Sequence, residues 1–101
     1  MIVVTMRIKM KPEADLQDYM ARLGQLMPEV QKIPGFLALR NYASQDGEYL
    51  GLAEFETEEA LKQWQQHSGH MAAKQLGRTK YYADLTIQIC RTIDQYSYNY
   101  Q

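Results

Sequence analysis

At 101 residues, with 46% hydrophobic content and 11 Lys and Arg against 12 Asp and Glu, the chain fits one globular domain. The balanced charge offers no basic stripe for nucleic acid and no charge block for an anionic membrane. The single cysteine, Cys90, excludes an intrachain disulfide and a Cys-built metal site. No apolar run reaches the length of a bilayer span or a secretory signal, so a reducing cytoplasm is the expected location.

Ile2, Val4, Met6, Ile8 and Met10 alternate with Val3, Thr5, Arg7 and Lys9, the period of two of a strand with one apolar face. Pro12 ends it, and Glu13 and Asp15 suit the first turn of a helix. Leu16, Tyr19, Met20, Leu23, Met27, Val30 and Ile33 then recur at threes and fours, an amphipathic helix stopped by Pro34-Gly35. Pro28 implies a kink or break near Met27. Residues 36–43 and 48–55 read as two strands joined by Ser44-Gln45-Asp46-Gly47, whose Asp-Gly pair is hairpin chemistry. Thr57, followed by Glu58 and Glu59, reads as the N-cap and acidic first turn of a second helix that carries Leu61 and Trp64 inward. Ser68-Gly69 interrupts it, a short helix covers about residues 70–76, and Gly77 closes that one. Tyr81, Ala83, Leu85, Ile87 and Ile89 alternate with Tyr82, Asp84, Thr86, Gln88 and Cys90 in a long last strand.

The order β-α-β-β-α-β predicts an α+β domain of the ferredoxin-like plan, a four-stranded antiparallel sheet with helices on one face. The core spans residues 2–91, and 92–101 form a Tyr-rich tail. Phe36-Leu37-Ala38-Leu39 is apolar on both faces of its strand, as is much of residues 50–53. A sheet with one dry face alternates more cleanly, so the face without helices needs cover. The simplest cover is the same face of a second copy, giving a homodimer; the alternative is the tail folding back. Tyr96, Tyr98 and Tyr100 alternate with Ser97 and Asn99, which would let the tail add an edge strand to the neighbour.

Polar, aromatic and basic side chains crowd into Trp64-Gln65-Gln66-His67-Ser68-Gly69-His70, Gly77-Arg78 and Tyr81-Tyr82. Together with Pro34-Gly35-Phe36 and Glu54-Phe55, this pattern resembles the antibiotic biosynthesis monooxygenase family over residues 2–91. The resemblance implies a dimeric α/β barrel whose two sheets pack face to face, each subunit keeping a pocket between sheet and helices. It also implies a reaction without metal or organic cofactor, in which a deprotonated phenol or quinol passes an electron to molecular oxygen. Such chemistry needs a dry aromatic pocket, a base, and a donor for the developing anion.

On that pattern Trp64 and His70 form the expected catalytic pair, Trp64 as an aromatic wall and His70 as the base. Each also has a plain structural reading, a core Trp and a helix-capping His. Arg40, Phe55, His67 and Tyr82 complete the expected substrate-binding set. Arg40 is a charge among apolar strand neighbours, which must either meet a ligand or pair with Glu54 on the next strand. Arg7 and Asp84 face the same choice. His67 and His70 stand three apart, but no acidic or Cys partner is near in sequence, so no metal site is expected. The haem-degrading branch of the family holds iron with a His about ten residues beyond its Trp and uses an Asn in the first strand. Here Lys74 stands ten residues after Trp64, and the first strand has Thr5, Met6 and Arg7, which disfavours haem. The expected activity is therefore a cofactor-independent monooxygenase acting on a small phenol or quinol, the alternative a non-catalytic ligand-binding dimer.

Overall fold

A computed structural model describes residues 1–100, with Ser68 by its backbone only. The elements run β1 (Ile2–Met10), α1 (Leu16–Gln31), β2 (Phe36–Ala43), β3 (Tyr49–Phe55), α2 (Glu58–Gln66), α3 (Ser68–Leu76), a π-helical turn (Gly77–Tyr81) and β4 (Tyr82–Arg91). The strands form one antiparallel sheet in the order β2-β3-β1-β4, the ferredoxin-like arrangement.

Local chemistry explains most element boundaries. Asp15 caps α1 by accepting from the Asp18 N–H at 3.1 Å, and Thr57 caps α2 by accepting from the Ala60 N–H at 3.1 Å. Gly35 turns the chain out of α1 at φ +91° and lies under Ala60, where a side chain would crowd. Gly47 takes φ +89° in the hairpin. Pro28 does not break α1, which runs through to Gln31; the expected interruption is absent because the helix tolerates one missing N–H where packing of Val30 and Ile33 holds its end. The last helix begins two residues earlier than the sequence implied, at Ser68, because the His67 side chain caps it.

The core lies between the sheet and α1 and α2. It joins Ile2 and Val4 of β1 with Ala53 and Phe55 of β3, and packs them against Val30 and Trp64. Burying a side chain of this size contributes about 1.5–3 kcal/mol. Register places Ile2 beside Phe55, Val4 beside Ala53 and Ile89, and Met6 beside Ile87, all on the helix face.

Two bulges break the alternation. Phe36 pairs with Phe55 and Ala38 with Glu54, so Leu37 is an extra residue in β2. Phe36 and Leu39 therefore both face the helices, and this run is apolar because of the bulge, not because both faces are dry. On β3 the expectation stands on better ground: Leu50 and Leu52 lie on the open face beside Arg7 and Thr5 while Gly51 and Ala53 point the other way. In β4, Lys9 pairs with Asp84 and Met10 with Tyr82, leaving Ala83 as the extra residue. Residues 92–100 form no strand within the chain, and Ile93, Tyr96, Tyr98 and Tyr100 are exposed. No helix among the described residues is long and apolar enough to cross a membrane.

Candidate active site

A cavity of ≈ 190 Å³ lies between the helix face of the sheet and the three helices. The even-numbered residues of β1 and their partners supply its floor, Val4, Met6, Ala53, Phe55, Leu85, Ile87 and Ile89 among them. Phe36, Trp64 and Tyr82 add aromatic walls. The helices leave the β4 side open, so Leu85, Ile87 and Ile89 stay 38%, 44% and 54% exposed although they face inward. A wider hollow of ≈ 330 Å³ lies between Pro12 and the Asp46-Gly47 hairpin, but it is a surface groove walled largely by loop residues.

Trp64 and His70 meet inside this cavity, stacked with ring centroids 4.5 Å apart and planes 19° from parallel. His70 Nδ1 is 3.1 Å from the Trp64 carbonyl oxygen. A carbonyl only accepts, so Nδ1 carries the proton and Nε2 keeps its lone pair. The capping role and the acceptor role thus fall on different nitrogens of one ring. Burial, then the nearby charge of Lys74, holds the His70 pKa down to about 4, so the ring is neutral at pH 7.

His67 is protonated the other way. Its Nδ1 accepts from the Gly69 N–H at 3.0 Å, leaving Nε2–H directed to Glu29 Oε2 at 3.7 Å. It packs on Trp64 with centroids 5.3 Å apart, outside the cavity wall. Expected as a substrate contact, His67 here caps α3 and lies beside Glu29, and it is not among the residues that line the cavity.

Tyr82 reaches the cavity because of the bulge at Ala83. Strict alternation would have grouped it with Asp84 and Thr86 on the far face. Its hydroxyl lies 3.4 Å from that of Tyr19, which also borders the cavity. Gly77 makes room for the ring: a Cβ there would lie 2.2 Å from Tyr82 Cε2. The π-turn carrying Gly77 is anchored to α1 through Asp18, which accepts from the Tyr81 hydroxyl and from Lys80 Nζ at 3.0 Å. The Tyr81 and Lys80 hydrogen bonds hold the Asp18 pKa down to about 2.

Arg40 does not meet the cavity. It is exposed, opposite Leu52 on the open face, and makes no ion pair with Glu54 or any other described residue. As an edge-strand residue it keeps its hydration, which removes the need for a buried partner. Arg7 and Asp84 lie on the same open face. Of the expected set, Trp64, His70, Phe55 and Tyr82 come together. Tyr19, Gln65, Lys74 and Arg78 join them without having been singled out as site residues. The Gly77-Arg78 motif was the available signal for Arg78; nothing local marked Tyr19. Among the described residues no three His, Cys, Asp or Glu side chains cluster to hold a metal ion.

Residues 1–76 match the model of the family described as antibiotic biosynthesis monooxygenase. The chain belongs to that family. Over 58 residues it is 28% identical to YqjZ of Bacillus subtilis (strain 168), described as uncharacterized; the match spans 57% of this chain and 51% of that protein. The chain thus spans about half the length of the curated relative it matches. Its fold is that of Rv0793 from Mycobacterium tuberculosis, with a TM-score of 0.82 at 16% identity, covering 95% of this chain and 98% of that one. It is equally that of SnoaB from Streptomyces nogalater, described as a cofactor-independent oxygenase, with a TM-score of 0.76 at 10% identity and coverages of 93% and 94%. The antibiotic biosynthesis monooxygenase fold therefore extends past the matched residues through β4.

Proposed function

We propose that the protein is a cofactor-independent monooxygenase that oxidises a small phenol or quinol with molecular oxygen, working as a homodimer through the open faces of its sheets. The observation that carries this reading is the aromatic cavity with one neutral imidazole, stacked on Trp64 and holding a free Nε2 lone pair. Membership of a monooxygenase family and the shared fold of SnoaB support it. A flat ring enters among Phe36, Phe55, Trp64 and Tyr82, and its hydroxyl donates to His70 Nε2. The hydrogen bond loosens the phenolic proton, and the positive charges of Lys74 and Arg78 favour the anion. The electron-rich anion passes an electron to oxygen, and the two radicals combine. One oxygen atom stays on the ring; the other leaves as water with two hydrogens from the substrate, which supplies all four electrons. On the open face, Leu50 and Leu52 with Tyr42 would form the apolar centre of the dimer contact.

The test is consumption of menadiol in air with a chelator present, measured against the protein-free rate. Catalysis should exceed that rate, and His70→Ala and Trp64→Phe should each lower the excess by roughly ten-fold or more. Phe at 64 is chosen because Ala would cost about 3–5 kcal/mol of core packing. Unchanged rates in both variants would remove the assigned site.

A second reading, a ligand-binding dimer without chemistry, is favoured by one observation. An imidazole with a pKa of about 4 accepts a hydrogen bond well but keeps a proton poorly. Saturable binding of menadione with no acceleration of menadiol oxidation would select it.

A further inference from the structure

Every charged side chain on the cavity wall is a cation. Lys74 and Arg78 border the cavity and no Asp or Glu does. Neither cation enters an ion pair among the described residues. Lys74 belongs to α3 and Arg78 to the π-turn that continues it without interruption, so they stand four residues apart along one helical path. Side chains so spaced project on one side, and like charges there repel. The negative end of the α3 dipole accounts for basic residues near this terminus. It does not account for both of them bordering a cavity that is otherwise apolar and aromatic. The field of Lys74 reaches inside, since its charge is the second cause, after burial, of the low basicity of His70. An anion seated between the two cations would relieve their repulsion, and the planar guanidinium suits a carboxylate's two oxygens. Size narrows the ligand further. At ≈ 190 Å³ the cavity is smaller than the roughly 300 Å³ at which ordinary small-molecule pockets begin.

We infer that the cavity takes a planar aromatic carboxylate of one or two rings, its ring among Phe36, Phe55, Trp64 and Tyr82 and its carboxylate held at the mouth by Lys74 and Arg78. The inference rests on the cavity being the substrate site, and it narrows the proposed substrate from phenols at large to phenolic acids.

Calorimetric titration of the full chain at pH 7.5 with 2-naphthoate, 2-naphthol and decanoate tests it. 2-Naphthoate should bind about ten-fold tighter than neutral 2-naphthol, the advantage of one charge-assisted contact. In the double variant Lys74→Gln, Arg78→Gln that advantage should fall below about three-fold, 2-naphthoate losing more affinity than 2-naphthol. Raising the salt should shrink it in the wild type as well. Lys62→Gln, an exposed α2 lysine off the cavity, should leave it intact. Equal affinities for naphthoate and naphthol, an advantage that survives the double variant, or one lost equally in Lys62→Gln would overturn the inference. Decanoate binding as tightly as naphthoate would overturn its planar part. Both substituted side chains are exposed, so matching melting curves will show that the fold is kept. Naphthoate preference with turnover of neither menadiol nor 1,4-dihydroxy-2-naphthoate would leave this inference standing and remove the oxygenase reading; turnover without the preference would do the reverse.

Discussion

In His70 the two ring nitrogens have separate tasks. Nδ1–H donates to the Trp64 carbonyl near the end of α2, which also accepts the His67 N–H, while Nε2 is left for a ligand. Because burial lowers its folded pKa to about 4 from the usual 6.5, Nε2 stays available far into acid. The acidic limb of kcat/KM for menadiol should therefore fall near pH 4–5 and not near 6.5, measured across a pH series with a stability control. The sign for folding follows by linkage: the unfolded chain takes up the proton first as pH drops from 6.5 toward 4, so stability from neutral His70 is present above that window and lost across it. An acidic limb at 6.5 would mean that His70 is not the group concerned. Trp64 and His70 were legible because an aromatic on a helical apolar stripe and a His just past it carry local signals. Arg40 misled for a physical reason: a charge between Leu39 and Asn41 looks buried until β2 is found at the sheet edge. Lys74 and Arg78 look like ordinary helix surface, since local periodicity does not say which way α3 leans over the sheet.

At the level of elements, the path from α2 to β4 is where sequence periodicity fails and the site is built. A bulge at Ala83 and a π-turn just before it rotate Tyr82 inward, and an alternating template contains neither. The caps at Asp15 and Thr57, the hairpin glycine and the strand order were readable because each depends on near neighbours. Gly77 has ordinary right-handed helical angles, so its role is space and not conformational freedom. On propensity alone Gly77→Ala should stabilise a helix by about 1 kcal/mol. The clash with the Tyr82 ring should instead make it destabilising by about 1–2 kcal/mol, as overpacking does. Urea unfolding should show that loss, and in a Tyr82→Ala background the same change should become neutral or favourable. A neutral Gly77→Ala in the native background would contradict the packing.

For the whole molecule, the helices gather over β1 and β3 and leave two surfaces uncovered: the cavity side of β4, and the open face of the sheet. The open face mixes Leu50, Leu52 and Val3 with Thr5, Arg7 and Arg40, a composition closer to a dimer interface with a polar rim than to a surface meant for water. If the proposed dimer forms, Leu52→Arg should convert it to monomer in analytical ultracentrifugation and abolish any dependence of Tm on protein concentration. A wild-type chain that sediments as a monomer at tens of micromolar would refute the assembly. Leu50 and Leu52 do lie on the open face, as their alternation implied, while the bulge at Leu37 turns both Phe36 and Leu39 toward the helices, which a plain alternating strand does not reveal.

Trp64 is the only tryptophan of the chain, and it lies face to face with an imidazole on the wall of the cavity. The molecule therefore carries a built-in optical probe at the place of most interest. Indole emission comes from this one position, free of background from elsewhere in the fold. A change in the neighbouring ring's charge or a flat guest in the cavity alters the surroundings of that single fluorophore, so occupancy can be followed by light, without label or turnover.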